Sequence, residues 1–179
     1  MNTSLLEKLQ DVCHILNEHS VEYLTIGGAS VALHGHHRLS KDSSGRDTDV
    51  DDLDFWYNPT YDNYFKLLNA LEKLGQDISG FREEQAPDPK RSFFRLERPQ
   101  FTLDFLPVIP GLPRFREVFA AKETTKLGDV EIPFVSYEHL IMNKLALGRA
   151  KDQEDIRQLE LKKQEQKPPQ PRLRQRRRS

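Results

Sequence analysis

Two aspartates separated by one residue are the feature of the sequence that points most directly to chemistry. Asp52 and Asp54 begin the segment 52–57, DLDFWY, whose composition is typical of a β-strand. Side chains two residues apart on a strand share a face, so these carboxylates are expected to converge at about 6 to 7 Å and to repel each other unless a cation is bound. Such hard oxygen ligands favour Mg²⁺ or Mn²⁺. Taken alone, the pair is equally typical of solvated acids on an edge strand.

A third aspartate lies in a later apolar segment. Asp104 stands within residues 101–107, FTLDFLP, where an ionised carboxylate is costly unless a partner or a metal compensates its charge. If this segment pairs with the first strand, three carboxylates can hold two metal ions, the arrangement that stabilises the attacking and leaving oxygens of a phosphoryl-type displacement. The alternative is a structural salt bridge between Asp104 and Arg95.

A pair of glycines precedes these acids. Gly27 and Gly28 separate a β-branched and aromatic run from a short apolar helix. Without a Cβ the backbone can approach an anion closely, and the N–H groups that open a helix favour phosphate. Ser30 can add a hydroxyl donor. Most double glycines are turns, so it is the combination with the carboxylates that predicts a phosphate-binding loop.

The elements that must position these residues follow from periodicity and from turn residues. They predict an α/β (α+β) fold in which a short mixed β-sheet is flanked by helices. Predicted helices cover residues 5–16, 29–34, 60–75, a short stretch after 113, 136–147 and 152–163; predicted strands cover 21–26, 52–57, 92–98, 101–107 and 130–135. The strands 92–98 and 101–107 are expected to form a hairpin.

The long polar stretch 35–51 leaves two questions open. Asp49 and Asp51 form a competing Asp-x-Asp pair, but Asp52 and Asp54 are favoured because they lie away from Leu53 and its apolar neighbours, whereas Asp49 and Asp51 would share that apolar face. The loop also contains a group of histidines, for which a hydrated loop is favoured over a transition-metal site. These histidines are His34, His36 and His37.

Composition limits the remaining possibilities. Of 179 residues, 31% are charged, and no apolar run has the length that a bilayer helix needs. Without a basic and apolar leader, a cytoplasmic location and no membrane partner are expected. The one cysteine, Cys13, is predicted to be a small core residue.

Charge is distributed unevenly along the chain. Residues 162–179 carry eight Lys or Arg and one Glu, whereas residues 1–161 carry 19 basic and 27 acidic side chains, a charge of −8. We therefore expect a folded domain over 1–161, of which 136–161 is a helical C-terminal part, and a disordered basic tail over 162–179. Such a tail can bind phosphates in a salt-dependent way, or it can be dispensable.

Taken together, Gly27-Gly28, Asp52-Leu53-Asp54 and Asp104 resemble the DNA polymerase β-type nucleotidyltransferase superfamily. Further segments resemble its AbiEii-like toxin branch. They are 23–33 (YLTIGGASVAL), Arg46 and Thr48, 140–149 (LIMNKLALGR) and 151–156 (KDQEDI). The resemblance implies a nucleotidyltransferase fold and places Lys144, with Asp155 or Asp152, in the active site.

The resemblance also implies a reaction. A nucleoside monophosphate would pass from a nucleoside triphosphate to a hydroxyl, with release of pyrophosphate and with Asp52, Asp54 and Asp104 as metal ligands. Gly27, Gly28 and Ser30 would bind phosphates, Lys144 would neutralise the triphosphate, and Asp152 and Asp155 would orient that lysine or contact the nucleotide. The acceptor is a tRNA end or another RNA, which is slightly favoured, or a protein side chain. A cognate antitoxin is implied by analogy. The rival hypothesis is an inactive relative that binds nucleotide or RNA as a regulatory module.

Overall fold

A computed structural model describes residues 3–36, 40–41, 47–48, 51–99 and 101–165. In chain order, its elements are α1 (Thr3–Glu18), β1 (Tyr23–Ile26), α2 (Gly27–Leu33), β2 (Ser40–Lys41), β3 (Asp47–Thr48), β4 (Asp51–Tyr57), α3 (Tyr61–Lys73), α4 (Ser79–Glu83), β5 (Phe94–Glu97), β6 (Phe101–Leu106), α5 (Phe115–Ala120), β7 (Glu123–Leu127), β8 (Val130–Phe134), α6 (Tyr137–Leu147) and α7 (Ala150–Glu165). Among these helices none is long and apolar enough to cross a membrane.

The centre of the fold is a six-stranded mixed sheet with the order β5-β6-β4-β1-β8-β7. Strand β4 runs antiparallel to β1 and parallel to β6, and β5 and β6 form an antiparallel hairpin. The predicted α/β class, the mixed sheet and the hairpin are therefore confirmed. Because parallel neighbours need a long crossover, the chain passes through α3, α4 and β5 between β4 and β6.

Both faces of the sheet are packed. On one face Leu53, Phe55 and Tyr57 of β4 are fully buried with residues of α1 and α3, as their alternation predicted. On the other face, Trp56 belongs to a second cluster that includes Leu140 of α6 and Leu159 of α7. Helices α6 and α7 therefore cover part of the face that carries the aspartates.

Side-chain caps fix where two helices begin. Thr60 accepts a hydrogen bond from the backbone N–H of Asn63 at the start of α3, and Ser136 does the same for His139 at the start of α6. Gly148 ends α6 in the left-handed conformation, with φ of 63°, and turns the chain into α7.

Four details differ from the sequence predictions. Strand β7 was not predicted, because its side chains are mostly exposed and lack apolar alternation, and the short helix α4 was also missed. The stretch 35–51 contains the paired strands β2 and β3, although residues 37–39, 42–46 and 49–50 lie outside the described residues. Helix α7 continues to Glu165, so the domain boundary predicted at residue 161 falls inside a helix. The remainder of the predicted tail, 166–179, is not described.

Candidate active site

Three carboxylates meet where β4 and β6 pair. Asp54 stands in register with Asp104 across the parallel strands, and Asp52 stands in register with Thr102. The Thr102 hydroxyl donates a hydrogen bond of 2.6 Å to Asp52 Oδ1. Because side chains two apart share a face, Asp52, Asp54 and Asp104 lie on one side of the sheet. The structure thus brings these three predicted residues together, on the side opposite Leu53.

Asp54 is buried beside two like charges. Burial raises its pKa to about 6, and the neighbouring charges of Asp104 and Asp52 add to the effect, while Lys144 and Lys151 oppose it. Two like charges beside a desolvated carboxylate make its ionised form costly. Burial and like charge therefore both favour the protonated form of Asp54 in the absence of a bound cation.

Gly27 is required by the position of Asp54. A Cβ at residue 27 would lie 2.1 Å from Asp54 Oδ2, and the residue has a φ of +63°, which side chains rarely adopt. The sequence suggested close approach of a phosphate at this glycine, whereas in the structure the group that approaches is the carboxylate. Gly27 and Gly28 open α2 directly after β1.

Ser30 is a buried residue of α2. Its residue is 0% exposed, and its hydroxyl has no hydrogen-bond partner among the described residues. Ser30 therefore lies on the buried side of α2, and its donation to a phosphate stays a prediction. Sequence spacing placed it near the glycines but could not indicate its face in so short a helix.

Asp104 also forms an ion pair with β5. Arg95 Nε and Nη2 donate to Asp104 Oδ1 and Oδ2 at 2.8 and 2.6 Å, across an antiparallel register that sets the two residues opposite each other. The salt bridge considered as an alternative from the sequence is therefore present, and it coexists with the position of Asp104 beside Asp54. The Arg95 side chain remains 52% exposed.

Lys144 lies in a buried ionic cluster at the junction of α6 and α7. Its Nζ is 3.0 Å from Asp152 Oδ1 and 2.8 Å from Asp155 Oδ2, and the three side chains are 2% exposed or less. Arg149 Nε also donates to Asp152, at 2.6 Å. Lys144 is thus a buried, internally paired cation and not a solvated helix residue. Its predicted contact with a triphosphate stays a prediction. Of the alternatives for Asp152 and Asp155, the structure shows the one in which they hold the lysine.

The donor types at the aspartate site suit a hard divalent cation. Carboxylate oxygens are the ligands that Mg²⁺ and Mn²⁺ prefer, and the buried Asp54 lies near the carboxylates of Asp52 and Asp104. As the side chains stand, no group of three or more His, Cys, Asp or Glu residues in the described ranges is arranged to hold a metal ion. The types of side chain are therefore suited to a divalent metal ion. To act as a metal ligand, Asp104 would have to release Arg95 and bind the metal in its place.

Two other sequence predictions have clear outcomes. His34 is packed, not hydrated: its Nε2 is 2.9 Å from the Val135 carbonyl oxygen and its ring contacts Phe134 edge-on. His37 lies outside the described residues. Cys13 is fully buried, and burial raises its pKa to about 12, which confirms a core residue and not a reactive thiol.

Comparison with protein families matches residues 5–177 to the family described as "Nucleotidyl transferase of unknown function (DUF2204)". The chain belongs to this family. Membership confirms the predicted enzyme class, a nucleotidyl transferase, and supports the resemblance at the level of the superfamily. The matched residues extend through most of the basic segment that the sequence suggested to lie outside the fold.

Two solved structures share the fold of this nucleotidyl transferase. The antibiotic-resistance factor ANT(2'')-Ia has a TM-score of 0.55 at 16% identity, over 89% of this chain and 84% of its own. An antigenic nucleotidyltransferase-like protein from Paracoccidioides brasiliensis has a TM-score of 0.51 at 15% identity, over 95% of this chain and 80% of its own. A comparison with curated proteins found no match.

Sequence reasoning missed some residues that shape the site. Thr102 precedes Asp104 by two positions, so its place on the acid-bearing face was available from strand alternation. Lys151 acts on Asp54 through its charge, and the Arg149 contact with Asp152 depends on the tight turn at Gly148. No local pattern in the sequence indicates that this turn brings Lys151 and Arg149 toward β4, a strand nearly one hundred residues earlier in the chain.

Proposed function

We propose that this member of the family catalyses metal-dependent transfer of a nucleoside monophosphate from a nucleoside triphosphate to a hydroxyl group. The observation that carries the proposal is the register of Asp54 with Asp104, with Asp52 on the same face. Three carboxylates on paired strands, one of them desolvated, need cations to be stable together. A triphosphate bound to Mg²⁺ supplies those cations where they are needed.

Each carboxylate has its own part in the proposal. Asp52 and Asp54 would hold the Mg²⁺ or Mn²⁺ that accompanies the triphosphate, and Asp104 would complete a second site. When bound, the metal neutralises phosphate charge and lowers the pKa of the acceptor hydroxyl. The backbone of Gly27 and Gly28 at the start of α2 supports the phosphates, and pyrophosphate leaves in line with the attacking oxygen.

The cluster around Lys144 acts on this site indirectly. Its cation lowers the pKa of Asp54 and so favours the ionised form that binds metal. Asp152 and Asp155 hold the lysine between them at 3.0 and 2.8 Å. Lys144 is therefore proposed as a positioning residue that tunes Asp54, and Asp155 as the residue that fixes Lys144.

For the acceptor we favour RNA, with a tRNA end as the leading candidate and a protein side chain as the alternative. The basic segment from residue 162 onward suits a polyanion. Shortening the chain after Glu165, which preserves α7, should weaken RNA binding and reduce its salt dependence; an unchanged salt dependence would remove the arginines from that role. The AbiEii-like resemblance further suggests the toxin of a toxin–antitoxin pair, with a protein antitoxin as partner.

The deciding experiment is incubation with each α-labelled nucleoside triphosphate, Mg²⁺ and either total RNA or an RNA-free lysate. Label in RNA or protein, together with released pyrophosphate, supports the proposal and identifies the acceptor class. Asp104→Asn should lose the label, whereas Asp129→Asn, which changes an exposed acid elsewhere, should keep it. Activity that survives both EDTA and Asp104→Asn would contradict the metal-dependent mechanism.

A non-catalytic nucleotide-binding module is the second candidate. It is favoured by one observation, namely that Asp104 and Lys144 already have internal ionic partners. Such a module would bind nucleoside triphosphate without labelling any acceptor or releasing pyrophosphate. Equilibrium dialysis with a labelled triphosphate, run beside the transfer assay, distinguishes the two.

A further inference from the structure

An apolar groove opens on the same side of the sheet as the carboxylates. Trp56, two residues after Asp54 on β4, lies at its base, and the segment 107–116 forms one wall. Its volume is about 370 Å³, at the lower end of the ~300–1,000 Å³ typical of ligand pockets. Its apolar lining consists of Trp56, Pro59, Pro107, Val108, Ile109, Leu112, Pro113 and Phe115. We refer to it as the 107–116 groove.

The wall of the 107–116 groove is held in place by polar contacts at both ends. Trp56 Nε1 donates to the Pro107 carbonyl at 3.1 Å, and Asn143 Nδ2 of α6 donates to the Pro110 carbonyl at 2.9 Å. Between them Gly111 passes so close to Ala146 that a Cβ would lie 2.4 Å from the alanine methyl. The groove is therefore formed in advance, which lowers the entropic cost of binding.

Positive charge surrounds this apolar surface. Lys90, Arg114 and Arg116 line the groove and are exposed, and no acidic side chain is among the residues that line it. Within the described ranges none of these three side chains forms an ion pair. The positive charge around the groove contrasts with the rest of the domain, because residues 1–161 together have a charge of −8. An exposed apolar surface with unpaired cations around it is typical of a binding site for an anionic, partly apolar partner.

We propose that the 107–116 groove binds an acidic segment of a partner protein through one or two bulky apolar side chains. The floor favours a peptide over a nucleic acid, because Trp56 and Phe115 are only 3% and 5% exposed and present no aromatic face for a base to stack on. By contrast Val108, which is 61% exposed, presents aliphatic surface to a Leu or Phe side chain. The rim cations then pair with Asp or Glu on either side of that anchor.

The basic C-terminal segment of the chain itself is a poor occupant. Residues 162–179 carry eight basic side chains and one acidic one, so the rim of the groove would repel them. The proposed occupant is therefore an acidic partner segment and not this tail, and its binding is independent of whether the aspartate site transfers nucleotides.

The test is selection of a random peptide library on the purified full chain, followed by affinity measurement of the enriched peptides. We expect enriched sequences to combine Leu, Phe or another bulky apolar residue with several Asp or Glu residues. Val108→Asp and the double variant Arg114→Glu/Arg116→Glu should each weaken their binding at least about tenfold. Since all three positions are exposed, the variants should fold, which circular dichroism and thermal unfolding verify.

Lys73→Glu is the matched control, because it reverses an exposed basic charge on α3, which packs on the opposite face of the sheet. It should leave peptide affinity unchanged. The proposal is overturned if no peptide is enriched, if enriched peptides lack acidic residues, or if they bind the groove variants as well as the wild type. Labelled oligouridine that binds the wild type and is lost in Arg114→Glu/Arg116→Glu would assign the groove to RNA and overturn the proposal as well.

Discussion

Asp54 and Asp104 lie side by side on the parallel strands β4 and β6, and Arg95 on β5 binds Asp104 but not Asp54. One carboxylate is thus compensated within the protein, while the other remains desolvated with a raised pKa. Because the two carboxylates differ in this way, replacing Asp104 should affect the reaction alone, whereas replacing Asp54 should also change the pH dependence of stability.

Asp104→Asn should lower nucleotidyl transfer by about a hundredfold to a thousandfold, since it removes a proposed ligand of the second metal ion. The free energy of unfolding should change by less than about 1 kcal/mol, because the lost ion pair involves the half-exposed Arg95. Label incorporation and urea unfolding measure the two quantities, with Asp129→Asn as the reference. Equal activity in both variants would exclude Asp104 from the reaction.

The pH dependence of stability should report the raised pKa of Asp54. A carboxyl whose pKa is about 6 in the folded state and 3.8 otherwise binds its proton more tightly when folded. Its contribution to stability is therefore complete below pH 4 and is lost as the pH rises through 6. In metal-free buffer, the unfolding free energy of wild type relative to Asp54→Asn should fall by on the order of 1 to 3 kcal/mol across this range. A difference that is flat with pH would contradict the buried, ionisable state assigned to Asp54.

Gly27→Ala should both destabilise the protein and disable the site. The added Cβ would meet Asp54 Oδ2 at 2.1 Å, in a residue whose φ is +63°. We expect a loss of about 2 kcal/mol or more and a displaced carboxylate. Gly80→Ala is the control, because a Cβ there meets no atom within 4 Å. Similar unfolding midpoints for the two variants would show that Asp54 does not depend on the glycine.

Lys144→Met should cost about 3 to 5 kcal/mol of stability, because it leaves Asp152 and Asp155 buried without the cation they share. Replacing the lysine together with one carboxylate, as Lys144→Met/Asp155→Leu, should recover part of the loss, since Asp152 retains Arg149. Denaturant unfolding measures both variants. A single variant as stable as wild type would show that the cluster does not contribute as its burial indicates.

The sequence was sufficient to predict the parts of this site that depend on local alternation. The side chains of Asp52 and Asp54 share a face because of the strand period, and the apolar neighbours of Asp104 predicted a strand that needed compensation. The sequence could not predict that Ser30 and Lys144 are buried. Ser30 lies in the seven-residue helix α2 and Lys144 in α6, which is packed on several sides, and neither helix has a clear apolar periodicity.

The fold was predictable wherever an apolar pattern or a capping residue marked an element. Thr60 and Ser136 correctly placed the starts of α3 and α6. Strand β7 escaped prediction because it owes its conformation to backbone pairing with β8 rather than to its own side chains. The packing of His34 against Val135 likewise depends on residues about one hundred positions away.

The crossover that joins β4 to β6 has a consequence for how such chains can diversify. Register between the two strands is set by their own hydrogen bonds, so the intervening elements α3, α4 and β5 and the turn at Gly75 determine only the route by which the chain returns. Insertions there can change length and surface without altering the spacing of the acids. Relatives can therefore acquire new appendages on this connection while the chemistry of Asp54 and Asp104 is inherited intact.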